Sequence, residues 1–354
     1  MKYRLFGFAL VAVALCSAAG FSYLKVASAG AAMTTAAEAF VKTLNEDQKG
    51  KALMAYDAPA RTDWHYIPKP TRKGLQIKEM TDAQRTAALE LLNSALSAVG
   101  YGKATKIMEL ESILHELEKN KTNGMIRDPL RYYFTLFGQP GGDARWGLSI
   151  EGHHLSLNFV VDHNRVASST PTFFGANPAV LLADYGGDFK KGVRVLAKEE
   201  ELAFDLLRSL TPEQRAKAVV ADKAPSDVRD AGKATPPNSP AVGLAASEMT
   251  KPQVLILRAL IDVYAHNLPS DVAEERLSAI EKEGYGEIKF CWSGGDKSDV
   301  GHDYRVQGKT FLIEFNNTQP DSAGNLANHV HTVWHNLAGN FGNEVKAAGA
   351  TPGK

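Results

Sequence analysis

The sequence predicts an α+β protein made of two similar repeats, each running from helices to antiparallel strands. Three observations lead to this reading. Helical and strand patterns are segregated within each half of the chain rather than alternating. Three phrases of the first half recur in order in the second. Thr43-Leu-Asn-Glu-Asp-Gln-Lys matches Ser209-Leu-Thr-Pro-Glu-Gln-Arg, Glu79-Met80-Thr81 matches Glu248-Met249-Thr250, and Gly152-x-x-Leu155-x-Leu157-Asn158-Phe159 matches Gly308-x-x-Phe311-x-Ile313-Glu314-Phe315. The offsets of 166, 169 and 156 residues are too long for a solenoid. They fit two lobes about a pseudo-twofold axis, with a site between them.

Residues 1–29 read as a secretory signal. Lys2 and Arg4 precede an uncharged, mostly apolar stretch from Leu5 to Leu24, and Ala27-Ser28-Ala29 forms a small-x-small cleavage site. The alternative is an uncleaved membrane anchor, since twenty such residues just reach across a bilayer. Ser17, Gly20 and Ser22 make it a poor permanent span, so no stable span is expected after cleavage. Cleavage after Ala29 removes three basic residues and no acid, leaving 37 Lys and Arg against 40 Asp and Glu, a net charge of −3. With no basic stripe interleaved with aromatics, nucleic acid is not an expected partner. Cys291 alone survives cleavage, and in Phe290-Cys291-Trp292 it reads as a buried thiol on a short strand.

The first repeat spans 30–165. After an N-terminal helix comes a Pro-, Asp- and Gly-rich loop from Tyr56 to Lys78. Thr81 then caps a helix over Asp82 to Val99, with Ala88, Leu91, Leu92, Ala95 and Leu96 at helical spacing, and Thr105 to Lys119 forms another. Strands follow at Tyr132–Phe137 and Gly147–Val161. Residues 166–200 connect the halves. The second repeat, 201–345, has its loop from Asp222 to Leu244, a helix started by Thr250 and Pro252, and strands at Ile288–Trp292 and Tyr304–Asn316. Residues 346–354 form a tail.

Histidine placement carries the functional signal. Of ten histidines, five lie in two short phrases, Gly152-His-His-Leu-Ser-Leu-Asn-Phe159 and Asn328-His-Val-His-Thr-Val-Trp-His335. Neutral imidazole is the commonest metal-ligating side chain and the usual general base near neutral pH. Along Leu155–Phe159 odd positions are apolar and even ones polar, so Ser156 and Asn158 share the face away from the core, and His154 joins them. The even offset makes Asn158 and Glu314 equivalent, and a carboxylate between Ile313 and Phe315 is expensive unless paired or metal-bound. His329 and His331 point the same way if extended, and the chain is expected to enter a helix from about Thr332. His302 is a further dispersed candidate. The expected metal set is His153, His154, His302, Glu314, His329 and His331, with His154 and Glu314 also placed for catalysis. Asn158, Asn317 and Gln319 would orient substrate or water, and Arg61 and Trp64 would cover an anionic or sugar-like substrate. For His65, His115, His163 and His266 a structural role is the default. There is no HExxH, P-loop, zinc-ribbon cysteine set or GxSxG.

These phrases also carry a resemblance. Arg61-x-x-Trp64-x-Tyr66-x-Pro68 with Arg72-Lys73-Gly74, the Gly-His-His-Leu-Ser-Leu-Asn-Phe tract, and His302-x-Tyr304-Arg305 through Phe311-Leu-Ile-Glu314-Phe315 to Asn328-His-Val-His331-Thr-Val-Trp334 resemble the bacterial and fungal domain of unknown function 3500. The resemblance covers nearly the whole mature chain. It departs at His335, where the family pattern implies arginine, and at a longer insertion around Pro320 to Leu326. It supports a site and implies no reaction. Three readings stand: an exported metal-dependent enzyme using zinc, iron or copper on a small-molecule substrate, hydrolase or oxidoreductase; a non-catalytic envelope protein binding a metal or small ligand; and a metal-free enzyme whose histidines act as acid and base beside Glu314.

Overall fold

The computed structural model describes residues 27–119 and 126–343. The first 26 residues, which hold the signal's basic and apolar parts, and the tail from 344 lie outside the described residues. Within the described residues the proposed cleavage triplet is structured: Ser28 caps helix α1 (Ala29–Thr43) by accepting from the Ala31 N–H.

Eight α-helices and one 13-stranded mixed sheet make up the described fold. In the first half α1 is followed by α2 (Glu46–Ala52), β1 (Leu53–Met54), β2 (Leu75–Gln76), α3 (Asp82–Ala95) and α4 (Ala98–Glu118). Strands β3 (Tyr133–Phe137), β4 (Arg145–Gly152), β5 (Leu155–Asp162), β6 (Arg165–Ser168) and β7 (Thr172–Ala176) complete it. The second half runs α5 (Ala197–Ser209), α6 (Pro212–Ala218), β8 (Val219–Ala221), β9 (Leu244–Ala245), α7 (Lys251–Ala265) and α8 (Ser270–Glu283). It ends in β10 (Lys289–Gly294), β11 (His302–Gln307), β12 (Phe311–Asn317) and β13 (Val330–Asn336). The sheet order is β1-β3-β4-β5-β7-β13-β12-β11-β10-β8. β1 and β8 pair parallel to β3 and β10, and the strands between are antiparallel. β7, from the segment read as a connection, joins the halves through β13, with Thr172 opposite Trp334.

Capping chemistry sets the helix starts. Asn45 with Gln48, Thr81 with Gln84, Thr211 with Gln214 and Thr250 with Gln253 form capping boxes. The Gln48 and Gln84 amides bond each other, as do those of Gln214 and Gln253, and each pair ties a helix start to the end of the helix before it. The helix expected over Asp82 to Val99 is interrupted. Ser97 accepts from the Gly100 N–H and starts α4, so the chain turns at Leu96. No helix forms from Thr332. That segment is β13, because β-branched Val330, Thr332 and Val333 find strand partners on both sides.

Alternation divides the sheet into two faces. Leu155, Leu157, Phe159, Tyr304, Ile313 and Phe315 join the core beneath the helices. The other face is polar and covered by the two long loops, pinned at Lys73–Glu151 (2.7 Å) in one half and Arg229–Glu314 (2.8 Å) in the other. At the seam a small aromatic cluster of Trp64, Tyr66, Phe173 and Phe341 joins them.

Candidate metal centre

Three imidazoles meet on the loop-covered face beside the β7–β13 seam. Nε2 of His154 lies 2.7 Å from Nε2 of His329, and Nε2 of His331 lies 3.1 Å from it. One ligating atom from each of the three falls within 4.8 Å of the others. Four-coordinate zinc with bonds of about 2.0–2.1 Å separates its nitrogen ligands by roughly 3.3 Å, so the three can share one ion after small adjustments.

Each ring is positioned by a different device. His154 occupies the two-residue turn between Gly152 and Leu155 at φ 62°, a left-handed conformation that bulky residues rarely adopt. The turn is held on both sides, the His154 N–H donating to Tyr66 O (2.9 Å) and its carbonyl accepting from the Gly175 N–H (2.8 Å). Gly175 leaves room for the ring, since a Cβ there would stand 3.0 Å from His154 Cδ2. His331 is a strand residue paired with Asn316 and Gly175, and its Nδ1 meets Asp227 Oδ1 at 2.7 Å. With Nδ1–H donating to that carboxylate, Nε2 keeps its lone pair for a ligand. His329 sits just before β13, its N–H donating to Asn317 Oδ1 (3.1 Å) and its Nδ1 3.4 Å from the Asn177 amide.

The electrostatics keep the His154 and His329 rings neutral. Burial, then the neighbouring histidines, pulls His154 well below its ordinary value, and burial followed by His331 takes His329 to about 3. Burial alone would raise Asp227, but hydrogen bonds from His331 and the Val228 N–H hold it below the usual carboxylate range. Neutral imidazoles beside an ionised carboxylate suit a divalent cation. The Tyr66 hydroxyl is buried, and burial first and then the Asp227 carboxylate raise its pKa far above the ordinary range.

The other expected residues lie elsewhere. His153 stacks on His154 with ring centroids 3.7 Å apart, but its Nδ1 is taken by Glu111 Oε1 at 2.5 Å with Arg127 at 3.0 Å. It forms the wall of a cavity of about 240 Å³ beside Arg72, Arg131 and Tyr133. Glu314 is fully buried and spent on the loop: Oε1 takes the Arg229 side chain and Oε2 the Arg229 N–H. His302 emerges on the helix face, stacked on Trp292 with Nε2 3.0 Å from Glu200. Strand parity separates it from Asp303 and Arg305, which face the loops. Asn158 bonds Pro171 O and Ser156 on β5. Trp64 is buried against Phe173 and donates to Lys233 O, while Arg61 is held by Tyr56 O, Phe341 O and Asn343. Among the described residues, neither makes a hydrogen bond or ring contact with the three histidines. Gln319 and Asn317 do reach them indirectly, Gln319 Nε2 lying 3.4 Å from Asp227 Oδ2. His335 packs edge-on to Trp64 and bonds Asn340.

Asp227, Asn177 and Gly175 are the participants that sequence reasoning missed. Asp227 lay inside a loop already marked as Pro-, Asp- and Gly-rich, but nothing local distinguishes it from Asp222 or Asp230.

Comparisons with curated proteins and with solved structures give no match. Residues 27–343 match the family described as protein of unknown function DUF3500. Covering nearly the whole chain, that match shows that the protein belongs to the DUF3500 family.

Proposed function

We propose that the protein is an exported metal-dependent enzyme in which His154, His329 and His331 hold one zinc, iron or copper ion. The observation that carries this is the convergence of three imidazole Nε2 atoms with Asp227 on the far nitrogen of His331. Three protein ligands leave positions for water and substrate, and a bound ion there supplies Lewis acidity or lowers the pKa of its water. The reading leaves His153, His302 and Glu314 off the ion, because Glu111, Glu200 and Arg229 already occupy them. His153 then supports His154 by stacking and lines the neighbouring cavity. Export rests on the N-terminal pattern. An internal duplication is supported by the matched strand order and by the paired glutamine bridges Gln48–Gln84 and Gln214–Gln253.

A second reading, a non-catalytic metal-binding protein of the envelope, is favoured by the cavity wall: it includes His153 rather than the three ligands. Metal analysis of purified protein tests both. About one equivalent of a transition metal is expected, lost in His331→Ala with the fold retained. Less than roughly a tenth of an equivalent after reloading would end both readings. Turnover in substrate screens separates the first from the second.

A further inference from the structure

We propose that a second site, in the cavity between α8 and the β11–β12 hairpin, binds a small organic carboxylate whose anionic end is held by Arg276. The cavity measures about 290 Å³, at the small end for ligand sites. It is lined by the β6–β7 connection, α8, the β11–β12 turn and the end of β13, and shares no residue with the candidate metal centre.

Arg276 is the central observation. Its guanidinium is densely surrounded by protein, yet the residue keeps part of its surface accessible and lines the cavity. It makes no ion pair among the described residues. Its partners are neutral: Nη2 donates to the Ser169 carbonyl (2.9 Å) and to the Ser169 hydroxyl, and the group lies 4.8 Å over the Trp334 ring. A buried cation without a counter-charge is costly, and burial alone draws its pKa down to about 9, where it remains protonated at neutral pH. Two more groups on the same cavity are unsatisfied. The Thr170 hydroxyl, on a residue only 3% exposed, and the Ser168 hydroxyl have no hydrogen-bond partner among the described residues. Nearby carboxylates are otherwise engaged, Glu275 with Arg165 at 3.6 Å and Glu283 with Thr310 at 2.9 Å.

The ligand class follows from this inventory. One guanidinium and neutral hydroxyls compensate a single negative charge, and two glutamates on the same cavity disfavour a phosphate dianion. A planar carboxylate matches the guanidinium fork. Trp334, Phe311 and Ile280 offer apolar surface for a short hydrocarbon body or ring.

Calorimetric titration of the purified full-length protein with butyrate, hexanoate and benzoate tests this, with the matching alcohols and inorganic phosphate as controls. Saturable binding of a carboxylate is expected, at least about tenfold tighter than its alcohol or phosphate. Arg276→Gln, which can still bond Ser169, should weaken it about tenfold or more. Thr170→Val removes a hydroxyl with no internal partner, so it should fold normally and weaken binding about threefold or more. Metal content should stay unchanged in both, which separates this site from the triad. No binding by any of the three carboxylates, equal binding of phosphate, or unchanged affinity in Thr170→Val would overturn the proposal, even if Arg276→Gln failed to fold.

Discussion

At the scale of the residue, the candidate metal centre depends on small groups behind the histidines. His154 accepts a left-handed backbone because Tyr66 and Gly175 clamp its turn from two sides. Strain of this kind persists only where surrounding structure over-determines it, and it concentrates at functional sites. A methyl added at Gly175 would stand 2.9 Å from Val330 O and 3.0 Å from the His154 ring. Gly175→Ala should therefore displace the ring, lower metal affinity by about tenfold or more, and cost roughly 1–3 kcal/mol through overpacking. Metal titration and thermal melting of the variant measure the two effects. Asp227 acts through His331. Asp227→Asn leaves a similar shape but can present its amide N–H to Nδ1, favouring the proton on Nε2. Metal affinity should fall about 10–100-fold, as for other partners of ligating histidines, with little change in melting temperature. Unchanged affinity would reduce Asp227 to a loop anchor.

At the scale of the element, the loop from Asp222 to Leu244 is fixed to the sheet by charge. Arg229 bridges Glu314 at 2.8 Å and Asp303 at 3.8 Å, both nearly inaccessible to water. Burial, followed by the Glu314 charge, raises Asp303 to about 7 from its usual 3.8. A carboxyl raised on folding favours the protonated native state, so its penalty is absent below about pH 4 and grows as pH rises through 7. Arg229→Met strips the counter-charge from both acids. It should cost about 3–5 kcal/mol near neutral pH. The deficit should shrink as pH falls from 8 to 5, because the Asp303 carboxyl can then take up a proton. Denaturant melts at the two pH values check the sign, and a deficit that grew on acidification would contradict it. Since the same loop carries Asp227, the variant should also loosen the metal centre.

At the scale of the whole molecule, the site lies where the halves meet. β13 supplies His331, β7 supplies Gly175 opposite it, the β4–β5 turn supplies His154, and the second-half loop supplies Asp227. The N-terminus belongs to the same scale. Cleavage after Ala29 would leave Gly30 first, removing the Ser28 cap and the Ala29 N–H bond to Asp271. Intact-mass analysis of exported protein should show a chain starting at Gly30, and retention of residues 1–29 would support the anchored alternative.

The sequence by itself determined much of the element order and one pairing of ligands. Capping residues and apolar periodicity placed most helices, since those signals act within four residues, and strand alternation separated polar from core faces. His329 and His331 could be paired because an i, i+2 spacing in extended chain puts both on one side. Parity could not show whether Glu314 would face an ion or an arginine, because Arg229 is 85 residues away in a loop without regular pattern. The extended course of β13 beyond Thr332 was likewise decided by its strand neighbours, whose hydrogen bonds overrode any local helical tendency. Asp227 and Gly175 are ordinary residues in the sequence. Only the β7–β13 pairing and the folded loop bring them to His154 and His331, because contacts between distant segments are set by packing and not by spacing along the chain.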